Sequence, residues 1–293
     1  MYIDLLGKTR YKVNLHTHTS RSDGRFKPEK VIELYRKKGY DVLALTDHWI
    51  RNSSSNENGI TVLSGAEYDL GVNGNNDVYH ILGLGINVDP NINRQSNPQE
   101  IIDGIHKAGG TAILAHPAWS LNTPEQILNL QGIDGIEIYN SVSGVHNSSR
   151  PDSSLLVDMV ASRGLYLPLI ADDDSHYYDL DSCVSWIMVE AVDNSEKAII
   201  DSVKNGKFYA TQGPEVHMWI EGDEAVVRCS PVCEIAFFSN CVYCNDRAVR
   251  GSNLTETRYK INENECFLRC EVIDENGKSA WTNIVSIKKN LLQ

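Results

Sequence analysis

From residue 10 to about 210 the chain alternates short apolar runs with stretches of helical periodicity. "YKVNLH", "DVLALTDH", "GITVLSGAE", "VYHILGLGI", "TAILAH", "GIEIYN", "YLPLIADDDSH", "SWIMVE" and "KFYAT" read as strands. Between them, "KPEKVIELYRKKGY" has an amphipathic repeat with Pro28 near its first turn and Gly39 as its stop. "NPQEIIDGIHKAGG" places Asn97 as an N-cap ahead of Pro98, with glycines at its end. Further helices are predicted near "TPEQIL", over "SSLLVDMVASRG" and over "SEKAIIDSVKNG". Repeated strand–helix units predict a parallel α/β sheet with helices outside, and six or seven of them are compatible with a closed barrel. From about residue 214 the helical pattern stops, and β-rich runs alternate with turns such as "EGDE" and "DENGK". The pattern therefore divides the chain into a β/α unit over 1–213 and a small all-β antiparallel sandwich over 214–293, joined at Gly213-Pro214.

In a parallel α/β fold the chemistry belongs at the C-terminal ends of the strands, and this chain puts its reactive side chains there. His16 and His18 close the first strand, and strand alternation turns both to one face. Asp23 follows on a turn-prone loop and folds back over them, which is how a divalent metal site is built. Asp47 and His48 end "VLALTDH", Glu67 ends "VLSGAE", His116 ends "TAILAH", and Asp174 with His176 end "LIADDDSH". Asp172, Asp174 and His176 share parity if that strand stays extended. His80 lies early in its strand, which predicts that this strand runs against the others. Glu137 and Asn140 face the same mouth if "GIEIYN" joins the sheet, and the polar loop at 51–59 lies near it. Trp119 is expected to line the pocket, Arg150 to hold an anion by its planar guanidinium, and His146 to serve beside it. His106 and His217 read as structural or exposed.

Composition narrows the partners. The chain has 293 residues, 41% hydrophobic and 23% charged, with 39 acidic against 27 basic side chains and a net charge of −12. That balance argues against a nucleic-acid surface, which needs a basic stripe. "MYIDLLGKTRYKV" has no basic segment followed by an apolar run, and no stretch approaches membrane-spanning length, so the expectation is a cytoplasmic protein without membrane contact. Cys183 lies mid-chain and the other six cysteines fall in the last quarter. They are expected as buried thiols, although "CVYC" at 241–244 has the spacing of half a zinc site.

The segments "HTHTSRSDG", "ALTDH", "SGAE", "HILGLG", "AHP" and "DDSH" occur in an order that resembles the PHP (polymerase and histidinol phosphatase) superfamily over residues 11 to about 213. The resemblance implies a distorted seven-stranded β/α barrel with two or three divalent metals, Mn, Fe or Zn. It carries the metal ligands onto His16, His18, Asp23, His48, Glu67, His80, His116, Asp174 and His176. "GKFYATQGP" and the β-rich end are similar to a two-domain branch that includes carbamate hydrolases. Asn283-Ile284 stands where that branch has Asn-Pro, and Asp172-Asp173 precede the ligand aspartate where Gly or Ser is usual. The resemblance implies a phosphoesterase that hydrolyses a small phosphomonoester, and the ligand set suits hydrolysis through a metal-bridging hydroxide, with Glu67 expected to bridge two ions. Asp174, His18 and His176 are the expected catalytic residues; Arg150, Trp119, Asn140 and His146 are the expected substrate contacts. Hydrolysis of a carbamate, ester or amide is the alternative reading, and a non-catalytic metal-stabilised module the third. The oligomeric state is left open.

Overall fold

A computed structural model describes residues 1–72, 78–145 and 148–287. Strands β1 (Tyr2–Ile3) and β2 (Thr9–Asn14) pair antiparallel, and α1 (Pro28–Lys37) follows. Next come β3 (Val42–Ala44), β4 (Ser55–Glu57), β5 (Ile60–Leu63), β6 (Gly65–Leu70) and β7 (Tyr79–Leu84). Helix α2 (Pro98–Lys107) begins in a reciprocal box: Asn97 accepts the Glu100 N–H, and Glu100 accepts the Asn97 N–H. After β8 (Thr111–Leu114), Thr123 and Gln126 build the same box at α3 (Pro124–Leu128). The β/α region closes with β9 (Gly135–Asn140), α4 (Ser154–Ala161), β10 (Leu169–Asp172), β11 (Trp186–Glu190), α5 (Glu196–Lys204) and β12 (Phe208–Thr211).

These strands form two arcs rather than one uninterrupted ladder. One arc runs β12-β11-β2-β3-β5-β4 and the other β10-β9-β8-β7-β6. Isolated bridges link the arcs at the mouth, Thr17 to Ser175 and His48 to Glu67. Val13, Leu15 and Leu63 from one arc share an apolar core with Leu82, Ile113, Ile136 and Ile170 from the other. The run "GITVLSGAE" is two strands in different arcs, dividing at Ser64. β7 runs antiparallel to both neighbours, as His80's position predicts. β11 departs from the parallel expectation: it is antiparallel to both β2 and β12. The reason is a missing crossover. The chain leaves β10 at the mouth and enters β11 from that same end, with Ile187 opposite Val13 and Glu190 opposite Arg10.

The C-terminal region comprises β13 (Val216–Glu221), β14 (Glu224–Phe238), β15 (Ala248–Lys260), β16 (Phe267–Ile273), β17 (Ser279–Trp281) and β18 (Val285–Ser286). It has its own core around Val227, Ile235, Phe237, Leu268 and Val272. This antiparallel region is ladder-bonded to the first, because β17 pairs with β16 on one side and β12 on the other. At this junction Trp281 stacks on Tyr139 at 5.5 Å and is buried in the first core. Cys229 and Cys270 are buried in the second core, and among the described residues no cysteine joins a metal-ligating cluster. No helix among them is long and apolar enough to cross a membrane.

Candidate metal centre

Beyond β2 the chain stays extended through His16 and His18 because segment 172–175 braces it. The Leu15 N–H donates to Asp172 Oδ1 (2.8 Å), Asp174 N–H to the His16 carbonyl (2.9 Å) and His18 N–H to the Ser175 carbonyl (3.0 Å). Asp47 ties down the following loop, accepting from the Thr19 N–H (2.7 Å) and the Ser22 hydroxyl (3.0 Å). That loop brings Asp23 to 3.5 Å from His18 Nδ1, 3.6 Å from His48 Nε2 and 3.4 Å from His176 Nε2.

All nine residues predicted as ligands gather into three overlapping groups: His18, Asp23, His48 and His176; His16, His18, Glu67 and Asp174; Glu67, His80 and His116. Glu67 belongs to two of them. Its Oε2 lies 3.3 Å from His16 Nε2 and 3.0 Å from His18 Nε2, while its Oε1 lies 2.9 Å from His80 Nδ1 and 3.3 Å from His116 Nε2. Asp174 Oδ1 is 3.1 Å from the Nε2 atoms of both His16 and His18, which are themselves 3.2 Å apart.

This arrangement fits divalent ions. Buried Asp174 Oδ1 and His48 Nδ1 have no hydrogen-bond partner, although opposite-polarity atoms converge around both. Burial alone would lower the pKa of His16, but Asp174, Glu67 and Glu137 outweigh it and hold the ring well above its ordinary value. His18 is raised likewise against burial, through Asp174, Asp23 and Glu67. Burial would raise Glu67, yet His16 and His80 hold its pKa well below the usual carboxylate range. Carboxylates this concentrated demand positive charge, which neutral imidazoles plus metal supply as well as protons do.

Around the ligands the structure adds residues whose role the sequence did not assign. Glu137 is fully buried, and its Oε1 lies 2.7 Å from His16 Nδ1. Its Oε2 accepts the His116 N–H and the Asn140 amide, each at 2.8 Å. In the neutral imidazole that a metal ligand must be, that carboxylate would hold the His16 proton on Nδ1 and leave the Nε2 lone pair facing inward. Asn140, expected from the sequence as a substrate contact, is instead fully buried and outside the cavity lining, and donates to Asp174 Oδ2 at 3.2 Å. Asp69 Oδ1 lies 3.1 Å from His48 Nδ1; its parity with Glu67 on β6 was the available signal.

The parity expected of Asp172, Asp174 and His176 does not hold, because β10 ends at Asp172 and Asp174 sits at φ 53°. Asp172 turns to the Leu15 amide, and Asp173 to the Tyr35 hydroxyl (2.8 Å) and the amides of residues 183–185. Burial pushes Asp173 up to about 6. Only Asp174 reaches the histidines.

The groups open into a cavity of 340 Å³ whose lining includes Trp119, Val142, Val145 and Tyr177. Trp119 packs edge-on to His80 and His116, with ring centroids at 5.5 and 4.9 Å. Arg150 is exposed and is not among the lining residues; its N–H donates to the Ser143 carbonyl at 2.8 Å. His146 lies outside the described residues. His106 pairs with Asp134 at 2.8 Å and His217 with Glu215 at 2.6 Å, both away from this cavity.

No family model matches the chain. An uncharacterized protein of Methanocaldococcus jannaschii is 29% identical over 143 residues, which are 44% of this chain and 82% of that protein. An amidohydrolase structure from Chromobacterium violaceum aligns over 58% of this chain and 89% of its own at 19% identity, with a TM-score of 0.41. A Bacteroides vulgatus structure, described as a two-domain protein containing a predicted PHP-like metal-dependent phosphoesterase, aligns at 17% identity with a TM-score of 0.56. That alignment covers 97% of this chain and 98% of the Bacteroides chain, so the two chains share an overall fold.

Proposed function

We propose that the protein is a metal-dependent hydrolase that cleaves a small phosphomonoester, using two or three divalent ions (Mn, Fe or Zn). The observation that carries this reading is Glu67, whose two oxygens address separate imidazole groups across one cavity. His16, His18, Asp23, His48, Glu67, His80, His116, Asp174 and His176 would hold the ions. When bound, such ions supply Lewis acidity and neutralise charge developing in an in-line displacement.

The chain's own residues do the rest. Glu137 sets the His16 tautomer, and the Asp174 carbonyl, 2.8 Å from His176 Nδ1, holds that ring in place. Asn140 holds Asp174 by Oδ2 and leaves Oδ1 without a hydrogen bond. Asp174, His18 and His176 are the groups assigned in this reading to passing a proton to the leaving alcohol. The resemblance of the sequence motifs and the predicted phosphoesterase character of the Bacteroides protein suggest the phosphoester class. The acidic balance of the chain argues against a nucleic-acid polymer as partner, and the proposal takes a small-molecule substrate in a cytoplasmic setting.

Phosphate release from a panel of phosphomonoesters by Mn²⁺-reconstituted protein tests the proposal. Release that is lost in Asp174→Ala and on chelation supports it. A metal-loaded protein that releases none would turn the reading to hydrolysis of a carbamate, ester or amide. One observation favours that second reading: among the described residues lining the cavity there is no lysine or arginine to meet a phosphate.

A further inference from the structure

The cavity has two unlike surfaces. One is the imidazole and carboxylate cluster, and the other is Trp119 with Val142, Val145 and Tyr177, interrupted by Ser143 and Ser148. Trp119 stays 39% exposed in a protein with a well-filled core, so its indole is available to a ligand. That exposure is built into the fold. The turn carrying the indole is pinned by Ser120 N–H to the His116 carbonyl (3.1 Å), Asn122 N–H to the Pro117 carbonyl (3.0 Å) and Ala118 N–H to Ser153 Oγ (3.2 Å). The Asn122 amide anchors its far side on the Val78 carbonyl at 2.7 Å. A rigid aromatic face beside a polar one divides a bound molecule into a charged head and an apolar remainder.

Resting on the phosphoesterase reading, we infer that the leaving group is a neutral aromatic or bulky apolar alcohol that packs against Trp119, with Trp119 setting the preference among phosphomonoesters. The hydrolysable head, which carries the charge, belongs on the imidazole and carboxylate cluster, so the alcohol portion extends to the other surface. No ammonium or guanidinium lines the described wall to receive a second anionic group, and the volume of 340 Å³ is that of a small ligand.

The test uses full-length Mn²⁺-loaded protein and two non-hydrolysable probes, benzylphosphonate and methylphosphonate, titrated calorimetrically. Benzylphosphonate should bind about tenfold more tightly, the scale of one well-placed aromatic contact. Trp119→Ala should abolish most of that difference, and Trp119→Phe should retain it. Equal affinities in the wild type, or a benzyl preference that survives Trp119→Ala, overturn the inference. Parallel assays compare kcat/KM on benzyl phosphate and glycerol 1-phosphate. A Trp119-dependent binding preference without phosphate release overturns the phosphoesterase reading and leaves the aromatic wall standing. Failure of both phosphonates to bind overturns both.

Discussion

Glu137→Gln isolates the tautomer argument, because it changes one atom of a residue that is not itself proposed as a metal ligand. The carboxylate meets three donors, His16 Nδ1–H at 2.7 Å on one oxygen and the His116 N–H and Asn140 amide at 2.8 Å on the other. Glutamine keeps one acceptor. Turning its NH₂ toward His116 and Asn140 would oppose two buried donors to a third, each unmet group costing about 1–3 kcal/mol. Turning it toward His16 displaces only one proton, so that orientation wins. His16 must then carry its proton on Nε2, the atom 3.1 Å from Asp174 Oδ1 and 3.3 Å from Glu67 Oε2. A nitrogen that donates there offers no lone pair. Loss of such an orienting carboxylate weakens metal binding by about 10–100-fold, or about 1.4–2.7 kcal/mol. Competition against a chromophoric chelator measures that shift, with urea unfolding as a check on folding. A folded Glu137→Gln protein with wild-type metal affinity would refute the reasoning.

Three further outcomes follow from other parts of the molecule. Gly24→Ala should weaken metal binding about tenfold or more in the same titration, because a Cβ there meets the His18 carbonyl, with its carbon at 2.5 Å, and Thr19 N at 2.7 Å, atoms that cannot step aside; unchanged affinity would show that the loop has slack. Arg269 is fully buried, clamps Asp158 through two 2.7 Å bonds and lies 4.2 Å from the Phe238 ring centroid. Arg269→Ala should therefore cost about 3 kcal/mol in urea unfolding, and a loss under about 1 kcal/mol would mean that the pair between the two cores is dispensable. Burial would raise the Glu215 carboxyl, but His217, Tyr2 and the Leu5 amide hold its pKa below the usual range. Its stabilisation is thus complete above the unfolded carboxylate pKa of about 4.3 and fades as pH falls through the folded value. The stability gap between wild type and Glu215→Gln should shrink from pH 6 to pH 3.5; a gap that widens contradicts the assignment.

Much of the fold was readable because local rules agreed with the tertiary outcome. Asn97 and Thr123 cap their helices as their side chains dictate, and the apolar periodicity located the strands that carry the histidines. Strand-end placement also brought the histidines and carboxylates into view before any geometry was known. What stayed hidden depends on backbone path. Nothing in "GITVLSGAE" marks Ser64 as the crossing between two arcs, and nothing in "SWIMVE" tells that its chain re-enters from the mouth. Parity failed at Asp174 because one residue in the left-handed region ends the alternation, and neighbouring sequence does not announce it. Glu137 was visible as a carboxylate facing the mouth. Its bond to His16, 121 positions away, is a long-range fact that only the folded chain holds.

The central claim is that Glu67 joins two metal positions. Anomalous diffraction from crystals of the Mn²⁺-reconstituted protein tests it most directly. The account predicts at least two manganese peaks, one bonded to Glu67 Oε2 among His16, His18 and Asp174, the other to Oε1 beside His80 and His116. A single peak that leaves one Glu67 oxygen unligated, or no peak in this cluster, would contradict it.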